Sequence, residues 1–241
     1  MKILGIIPAR YASTRFPGKP LIDIAGKSMI QRVYEQAKHC NLFSKIVVAT
    51  DDERIFHHLL EIGGDVMMTS ALHQNGSERC AEVVENLSEH FDVVINIQGD
   101  EPFIDPALFT LLIHAFLDEK TQIVTLIKAI EDSSYIANSN IIKVVKNKAN
   151  KAMYFSRAAI PFNRNELASA QYYKHIGLYA FRTNVLLEVV KLPASSYEQI
   201  EMLEQLRWLE NGFEIQLLET NLEADSIDVP ADLDRLLKKY F

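Results

Sequence analysis

Cysteine is nearly absent from this chain: Cys40 and Cys80 are the two it has, and no C-x-x-C can be written. That argues against a zinc site or a redox pair and leaves two ordinary buried or half-buried thiols. Long apolar runs are missing as well, since none approaches the ~20 residues a bilayer requires. The opening MKILGIIPAR is broken by Pro8 too soon to read as a secretory leader. The expected location is therefore cytoplasmic, with no membrane partner. A basic excess is also lacking: 25 Lys and Arg face 32 Asp and Glu, a net charge of −7. Nucleic acid is thus not expected as a partner, and any anion site must be a local gathering of cations. Between Pro8 and Pro20 stands a single glycine, Gly18, so neither G-x-G-x-x-G nor G-x-x-x-x-G-K exists there. No Ser-His-Asp or Cys-His arrangement, internal repeat or Pro/Gly/Ser-rich linker is visible.

What is present is a chain of 241 residues, 48% hydrophobic and 24% charged. This length suits one large α/β domain better than two independent ones. The apolar run from Ile3 to Ile7 reads as a buried strand. Helical spacing follows at Met29, Val33 and Ala37, then a strand over Lys45 to Ala49. Ile55, Leu59 and Ile62 give a helix closed by Gly63-Gly64. Asp65 to Met68, Val93 to Ile97 and Ile123 to Ile130 read as strands, with helices over Ser77 to Leu87 and Pro106 to Leu117 between them. Strands alternating with helices predict a doubly wound, mostly parallel sheet. The second half reads differently. Ile141 to Val145, His175 to Phe181 and Glu214 to Leu218 are strands, Asn163 to Tyr173 is irregular, and one helix spans Tyr197 to Asn211. These later elements are expected to be appended to the core as a lid or a dimer face. The division falls at about 1–130 and about 131–241 within a single domain.

In doubly wound sheets ligands bind beyond the carboxyl ends of the strands. That rule nominates Arg10 to Lys19, Thr50-Asp51, Thr69 to Arg79, and Gln98-Gly99-Asp100-Glu101-Pro102. The first loop carries Arg10, Arg15 and Lys19, which offer charge to phosphates. Gly99 beside Asp100 lets the backbone turn tightly and turns a carboxylate toward the ligand crevice. A carboxylate near phosphate oxygens is what Mg²⁺ takes; the alternative is a turn whose carboxylates face solvent. His73 to Arg79 is polar throughout and joins a strand to a helix. Arg79 could equally pair with Glu82 on a helix surface. Asp228, before a last helix starting near Pro230, reads on its own as part of a helix cap.

The string IPARYASTRFPGKPL resembles the signature of sugar-activating cytidylyltransferases, in particular the 3-deoxy-manno-octulosonate (Kdo) cytidylyltransferases. Further strings look like the same family: H-Q-N-G-S-E-R at 73–79, Y-F-S-R-A at 154–158, H-I-G-L-Y at 175–179, I-E-M-L-E-Q-L-R at 200–207 and I-D-V-P-A-D-L at 227–233. The resemblance runs from Ile7 to Leu233. Phe16, Ala159 and Leu178 depart from the family's usual residues by small or apolar exchanges. It implies a Rossmann-like nucleotidyltransferase fold and transfer of CMP from CTP to the anomeric 2-hydroxyl of Kdo, with pyrophosphate released, for lipopolysaccharide biosynthesis. It implies Mg²⁺ on Asp100 and Asp228, a pairing that spacing alone does not give. By the same resemblance Ala9, Arg10, Arg15, Lys19, Gly76, Ser77, Arg79 and Gln98 bind the nucleotide, with Arg10, Lys19 and Asp100 carrying catalysis.

An eight-carbon keto-acid sugar needs a cation for its carboxylate and mixed donors and acceptors for its hydroxyls. Arg157 could supply the first; Gln98, His175, Tyr179, Glu201 and Gln205 could supply the rest. Glu201 and Gln205 stand four apart and on one continuous helix would share a face; a plain wet helix face would look the same. The stretch Tyr135 to Tyr173 carries many large apolar side chains with weak periodicity, which suits a homodimer interface or an internal cover for the sheet edge. Two rivals stay open: the same reaction on another acid sugar, such as a sialic-type acid or amino-Kdo, and a nucleotide sensor without turnover.

Overall fold

The computed structural model describes residues 1–12, 16–167 and 169–241. The chain falls into two compact units, Met1–Ile113 with Glu223–Phe241, and His114–Leu222. The boundary thus lies at residue 113 rather than near 130, and the C-terminal stretch belongs to the first unit. The reason is burial: Ile227 and Leu236 share an apolar cluster with Ile24 and Met29.

The first unit begins with β1 (Ile3–Ala9), a single 3-10 turn over Lys19–Leu21, and a small hairpin, β2 (Asp23–Ile24) and β3 (Lys27–Ser28). Then come α1 (Met29–Lys38), β4 (Lys45–Thr50), α2 (Glu53–Glu61), β5 (Val66–Met68), α3 (Gly76–Asn86), β6 (Val93–Asn96) and α4 (Ala107–Ala115). Parallel pairing gives the strand order β5-β4-β1-β6. Ile3, Leu4, Ile6 and Ile7 are all buried, as expected of a strand covered on both faces. Polar side chains start the helices: Ser28 accepts from the Gln31 amide, Asp52 from Arg54, Asn75 from Glu78.

The second unit contains β7 (Ile123–Ala129), α5 (Ser134–Ala137), β8 (Lys143–Lys146), β9 (Ala152–Ser156), β10 (Tyr173–Arg182), α6 (Thr183–Val189), α7 (Ser196–Glu201), α8 (Gln205–Glu210) and β11 (Ile215–Glu219). Here β7 pairs parallel with β11 and antiparallel with β10, and β8 pairs antiparallel with both β10 and β9. The first unit closes the chain with α9 (Pro230–Tyr240). Among the described residues no helix is long and apolar enough to cross a membrane.

Two features depart from expectation. The helix expected over Tyr197 to Asn211 is two short helices, because Met202 sits in the left-handed region at φ 53° and breaks the run. Glu201 and Gln205 therefore end one helix and begin the next instead of sharing a face. And Ala152–Ser156 is a strand that was not expected, although the Asn147–Asn150 turn precedes it.

Candidate active site

The first unit opens a cleft of about 400 Å³ beyond the carboxyl ends of its parallel strands, within the usual size of small-molecule sites. β1 supplies Pro8 and Ala9 to its wall, and Arg10 follows directly; the next turn supplies Lys19; the cap and first turns of α3 supply Asn75, Gly76 and Arg79. The segment after β6 supplies Gln98, Gly99 and Asp100, and Asp228 arrives from the approach to α9. Thus residues 8 to 228 meet because three strand ends and one return crossing do.

Local chemistry fixes each wall. Gly18, at φ 72°, ends the first loop and donates its N–H to the Tyr11 carbonyl at 3.0 Å. Tyr11 in turn lies under the Arg54 guanidinium, whose carbon is 3.3 Å from the ring centroid. Asp52 holds Arg54 through both oxygens, at 2.9 and 2.7 Å. Gly99 is required by close approach: a Cβ there would stand 2.6 Å from the Pro8 carbonyl oxygen.

The electrostatic centre is Lys19. Its ammonium lies 2.8 Å from Asp100 Oδ2 and 3.6 Å from Asp228 Oδ1, so the two aspartates converge on one cation. The capping alternative for Asp228 is answered by its neighbour. It is Asp232 whose carboxylate accepts the amides of Asp228 and Val229, at 3.0 and 3.1 Å. Of the two carboxylates in the 98–102 turn, only Asp100 lines the cleft. Glu101 is buried, and desolvation first, then the Asp100 and Asp225 charges, push its carboxyl up to about 8. It is therefore mostly neutral at pH 7, a residue the sequence reading passed over because nothing in Asp-Glu-Pro says which carboxylate faces inward.

Other expected residues fall out unevenly. Arg79 is buried and donates to Asp51 at 3.0 Å and to Thr69 Oγ1 at 2.5 Å; it does not pair with Glu82. Glu82 instead accepts from the Ser70 amide at 2.8 Å and pairs with His73. Ser77 is buried and does not line the cleft, whereas Asn75, unassigned before, does. The signal for Asn75 was available as a cap preceding Gly-Ser-Glu. Arg15 lies outside the described residues.

Gln98 is in the cleft of the first unit, while Arg157, His175, Tyr179, Glu201 and Gln205 belong to the second. There Glu201 accepts from Ser156 Oγ at 2.5 Å and from the Arg157 amide at 2.9 Å, and Arg157 Nε returns a bond to the Glu201 carbonyl at 2.7 Å. A fully buried lysine, Lys143, donates to the carbonyls of Asn138, Ile141 and Arg157 at 2.8, 2.6 and 2.6 Å. Burial depresses its pKa, yet three carbonyl acceptors suit an ammonium. His175 and Tyr179 flank a bulge in β10, between Ile176 and Tyr179. Thr125 Oγ1 bonds the bulge carbonyl of Leu178 at 2.9 Å and lies 2.9 Å from His175 Nε2. With the hydroxyl proton committed to a carbonyl, Thr125 accepts from Nε2–H, so Nδ1 is the bare nitrogen. Desolvation lowers the His175 pKa to about 3, although the residue as a whole is only partly buried. Tyr179 is buried, edge-on to Trp208 with centroids 5.0 Å apart, and Gln205 is buried at the start of α8.

A strand-end cleft with a lysine shared by two aspartates and a small-residue helix start belongs to the nucleotide-handling α/β proteins, and the fold is that of a nucleotidyltransferase. The chain matches the Cytidylyltransferase family over residues 4–217. A 3-deoxy-manno-octulosonate cytidylyltransferase from Parabacteroides distasonis is 51% identical, with 98% of this chain and 97% of the relative covered. One of the same name from Bacteroides thetaiotaomicron is 52% identical over 97% and 96%. Among solved structures, a CMP:2-keto-3-deoxy-manno-octonic acid synthetase complexed with CTP superposes with a TM-score of 0.94 at 40% identity, covering 99% of this chain and 98% of that one. A 4-diphosphocytidyl-2C-methyl-D-erythritol synthase from Anaerococcus prevotii shares the fold alone, with a TM-score of 0.65 at 14% identity. The chain belongs to the 3-deoxy-manno-octulosonate cytidylyltransferase family.

Proposed function

We propose that this chain transfers CMP from CTP to the anomeric 2-hydroxyl of 3-deoxy-D-manno-octulosonate, giving CMP-Kdo and pyrophosphate. The observation that carries this reading is the convergence of Asp100 and Asp228 on Lys19, in a cleft that also presents Arg10 and Gly76. Two carboxylates beside an incoming triphosphate repel it unless a further cation joins them. Their donor set suits Mg²⁺, which binds through one or two carboxylates and completes its shell from phosphate and water. Among the described residues no three His, Cys, Asp or Glu side chains group for a metal, so substrate oxygens would supply the remaining ligands. When bound, Mg²⁺ neutralises phosphate charge and lets carboxylates and phosphates share one site.

The chain's own residues do the rest. Once the aspartates have another partner, the Lys19 ammonium is released to meet phosphate oxygens, and Arg10, exposed at the cleft mouth, adds a bidentate donor. Gly76 brings its backbone into the cleft wall, close against Asn96, whose amide nitrogen an added Cβ would approach to 3.1 Å. Catalysis is then positioning and charge compensation for an in-line displacement. In the second unit, Arg157 is held by Glu201 in a fixed pose that suits a sugar carboxylate, with neutral His175, Tyr179 and Gln205 as donors and acceptors for hydroxyls. The reading includes a cytoplasmic enzyme acting in lipopolysaccharide assembly. It also includes a homodimer, supported by Met153 and Phe162, which are 62% and 86% exposed. Size exclusion with light scattering at micromolar concentration checks the dimer, and a mass near 27.4 kDa rejects it.

The deciding assay is pyrophosphate release from CTP across a panel of acid sugars, with and without Mg²⁺. Turnover is expected with Kdo and Mg²⁺, and far less with a sialic acid or with ATP in place of CTP. Equal turnover with a sialic acid removes the sugar assignment; no turnover with any sugar favours a nucleotide sensor.

A further inference from the structure

Asp228 reaches the cleft from a stretch without regular structure, residues 221–229, so its carboxylate needs other groups to hold it. Three anchors surround it. The Ile227 amide donates to the Asp100 carbonyl at 2.9 Å, which ties the two aspartate-bearing segments together by their backbones. The Ile227 side chain is fully buried against Ile24, Met29 and Leu236. Asp225, three residues before Asp228, accepts from Lys239, Tyr240 and Arg235 of α9, at 2.5, 3.0 and 3.3 Å. Tyr240 is itself stacked on Phe103, with ring centroids 4.1 Å apart.

The third anchor is the most specific. Asp232, in the first turn of α9, places one oxygen, Oδ2, 3.0 Å from the Asp228 amide and 3.1 Å from the Val229 amide. Its other oxygen pairs with Arg235 at 3.4 Å. A helix-capping carboxylate ordinarily serves the cap residue's own N–H. Here the same oxygen also takes the amide of the residue whose side chain enters the cleft. That second bond does nothing for the helix. It fixes the backbone of Asp228 and so the direction in which its carboxylate leaves the chain.

We propose that Asp232 is a positioning residue: by holding the Asp228 amide it aims the Asp228 carboxylate at the point it shares with Asp100, and so sets the affinity of the cleft for its divalent cation. This rests on the reading of Asp100 and Asp228 as the cation's protein ligands. Outer-shell partners of this kind typically change metal affinity about 10- to 100-fold.

The test is a paramagnetic-resonance titration of Mn²⁺ onto the full chain with CTP and no sugar, alongside melting curves. Asp232→Ala is expected to weaken Mn²⁺ by about tenfold or more, whereas Asp232→Asn, which retains an acceptor oxygen, keeps most of the affinity. Leu59→Ala empties a buried position of α2, outside the Ile227 cluster and away from the α9 carboxylates. It is expected to lower the melting temperature with Mn²⁺ affinity unchanged. Unaltered Mn²⁺ binding in Asp232→Ala, or an equal loss in Leu59→Ala, overturns the proposal. Asp228→Asn is the reference: if it leaves Mn²⁺ binding intact, the ligand reading itself falls and the proposal with it. If Asp228→Asn weakens Mn²⁺ while Asp232→Ala does not, only the positioning role is lost.

Discussion

The charged groups around Lys19 in the first unit and those around Lys143, Glu201 and Arg207 in the second are used in opposite ways. In the first, Lys19, Asp100 and Asp228 keep 13%, 28% and 38% of their side-chain surface open, facing a cleft. In the second, charges are consumed by their neighbours: Lys143 by three carbonyls, Glu201 by Ser156 and Arg157, Arg207 by Glu198 through two bonds at 2.7 and 2.5 Å. An open ion pair can exchange partners when a polyanion arrives, because water already screens it and little is lost on opening it. A buried, fully bonded one cannot, since breaking it strands a charge. The Lys19 cluster is therefore suited to exchange of ions, and the cluster in the second unit to a fixed arrangement of donors and acceptors.

The largest effect should come from removing one of the exchanging charges. Asp100→Asn keeps the shape of the side chain and is expected to lower kcat on the order of 10²-fold or more, with a small change in melting temperature. Asp228→Asn should behave alike. Single-turnover rates at saturating CTP and Mg²⁺ check this. A variant that melts earlier but turns over at the wild-type rate would show that the carboxylate is structural, and the contrast between the units would then vanish.

A pair of glycines sharpens the same contrast in packing. Gly99→Ala places a methyl group 2.6 Å from the Pro8 carbonyl oxygen, and neither backbone can yield without moving the Asp100 turn. A loss of about 1–3 kcal/mol is expected from such overpacking. Gly177, in the β10 bulge, has nothing within 4 Å of an added Cβ, so Gly177→Ala should change stability by roughly 0.5 kcal/mol or less. Denaturant midpoints for the two variants decide it, and equal losses would mean that the cleft floor is no tighter than the bulge.

The second unit should also show itself in acid. His175 has a folded pKa of about 3 against an ordinary 6.5. The folded state thus binds fewer protons than the unfolded one across that interval. Its contribution is fully present above pH 6.5 and is lost as pH falls from 6.5 toward 3. Between pH 7 and pH 5 the loss amounts to at most about 2 kcal/mol. His175→Gln, which keeps a donor for Thr125 but cannot protonate, should flatten that part of the stability profile. An unchanged acid slope would mean that the ring takes up its proton without leaving its place.

How much of this could be read from the chain follows from where the information lies. Parallel strands such as Ile3–Ala9 are continuous apolar runs, and their ends are marked by Pro, Gly and Asp, so the first unit and most of its cleft were legible. Asp228 was legible only through resemblance, because its meeting with Asp100 depends on the buried cluster of Ile227 and Leu236 with Ile24 and Met29, a contact across the length of the chain. The break at Met202 was illegible, since methionine is a good helix former and nothing local demands its left-handed backbone. The long-range bonds from Glu201 to Ser156 and Arg157 fix the chain there, and no spacing rule reports them. Arg79 was assigned to the nucleotide by resemblance, with a surface pair to Glu82 as the alternative; its bonds to Asp51 and Thr69 join separate segments, and no spacing rule reports them.

The most direct comparison of the units is kinetic. Arg10→Ala removes an exposed donor from the cleft mouth. It should raise the apparent KM for CTP by about tenfold, the worth of one charge-assisted contact, and leave that for Kdo nearly unchanged. Lys19→Ala should do the same to CTP, with a loss of kcat in addition, because it also leaves Asp100 and Asp228 facing each other without their shared cation. Gln205→Ala, at the start of α8 in the second unit, should show the reverse pattern, a higher KM for Kdo with CTP spared. Initial rates over a grid of both substrates separate the two constants. If every variant raised both constants in step, the nucleotide and the sugar would be reading one shared surface, and the division of labour between an exchanging unit and a fixed one would have to be abandoned.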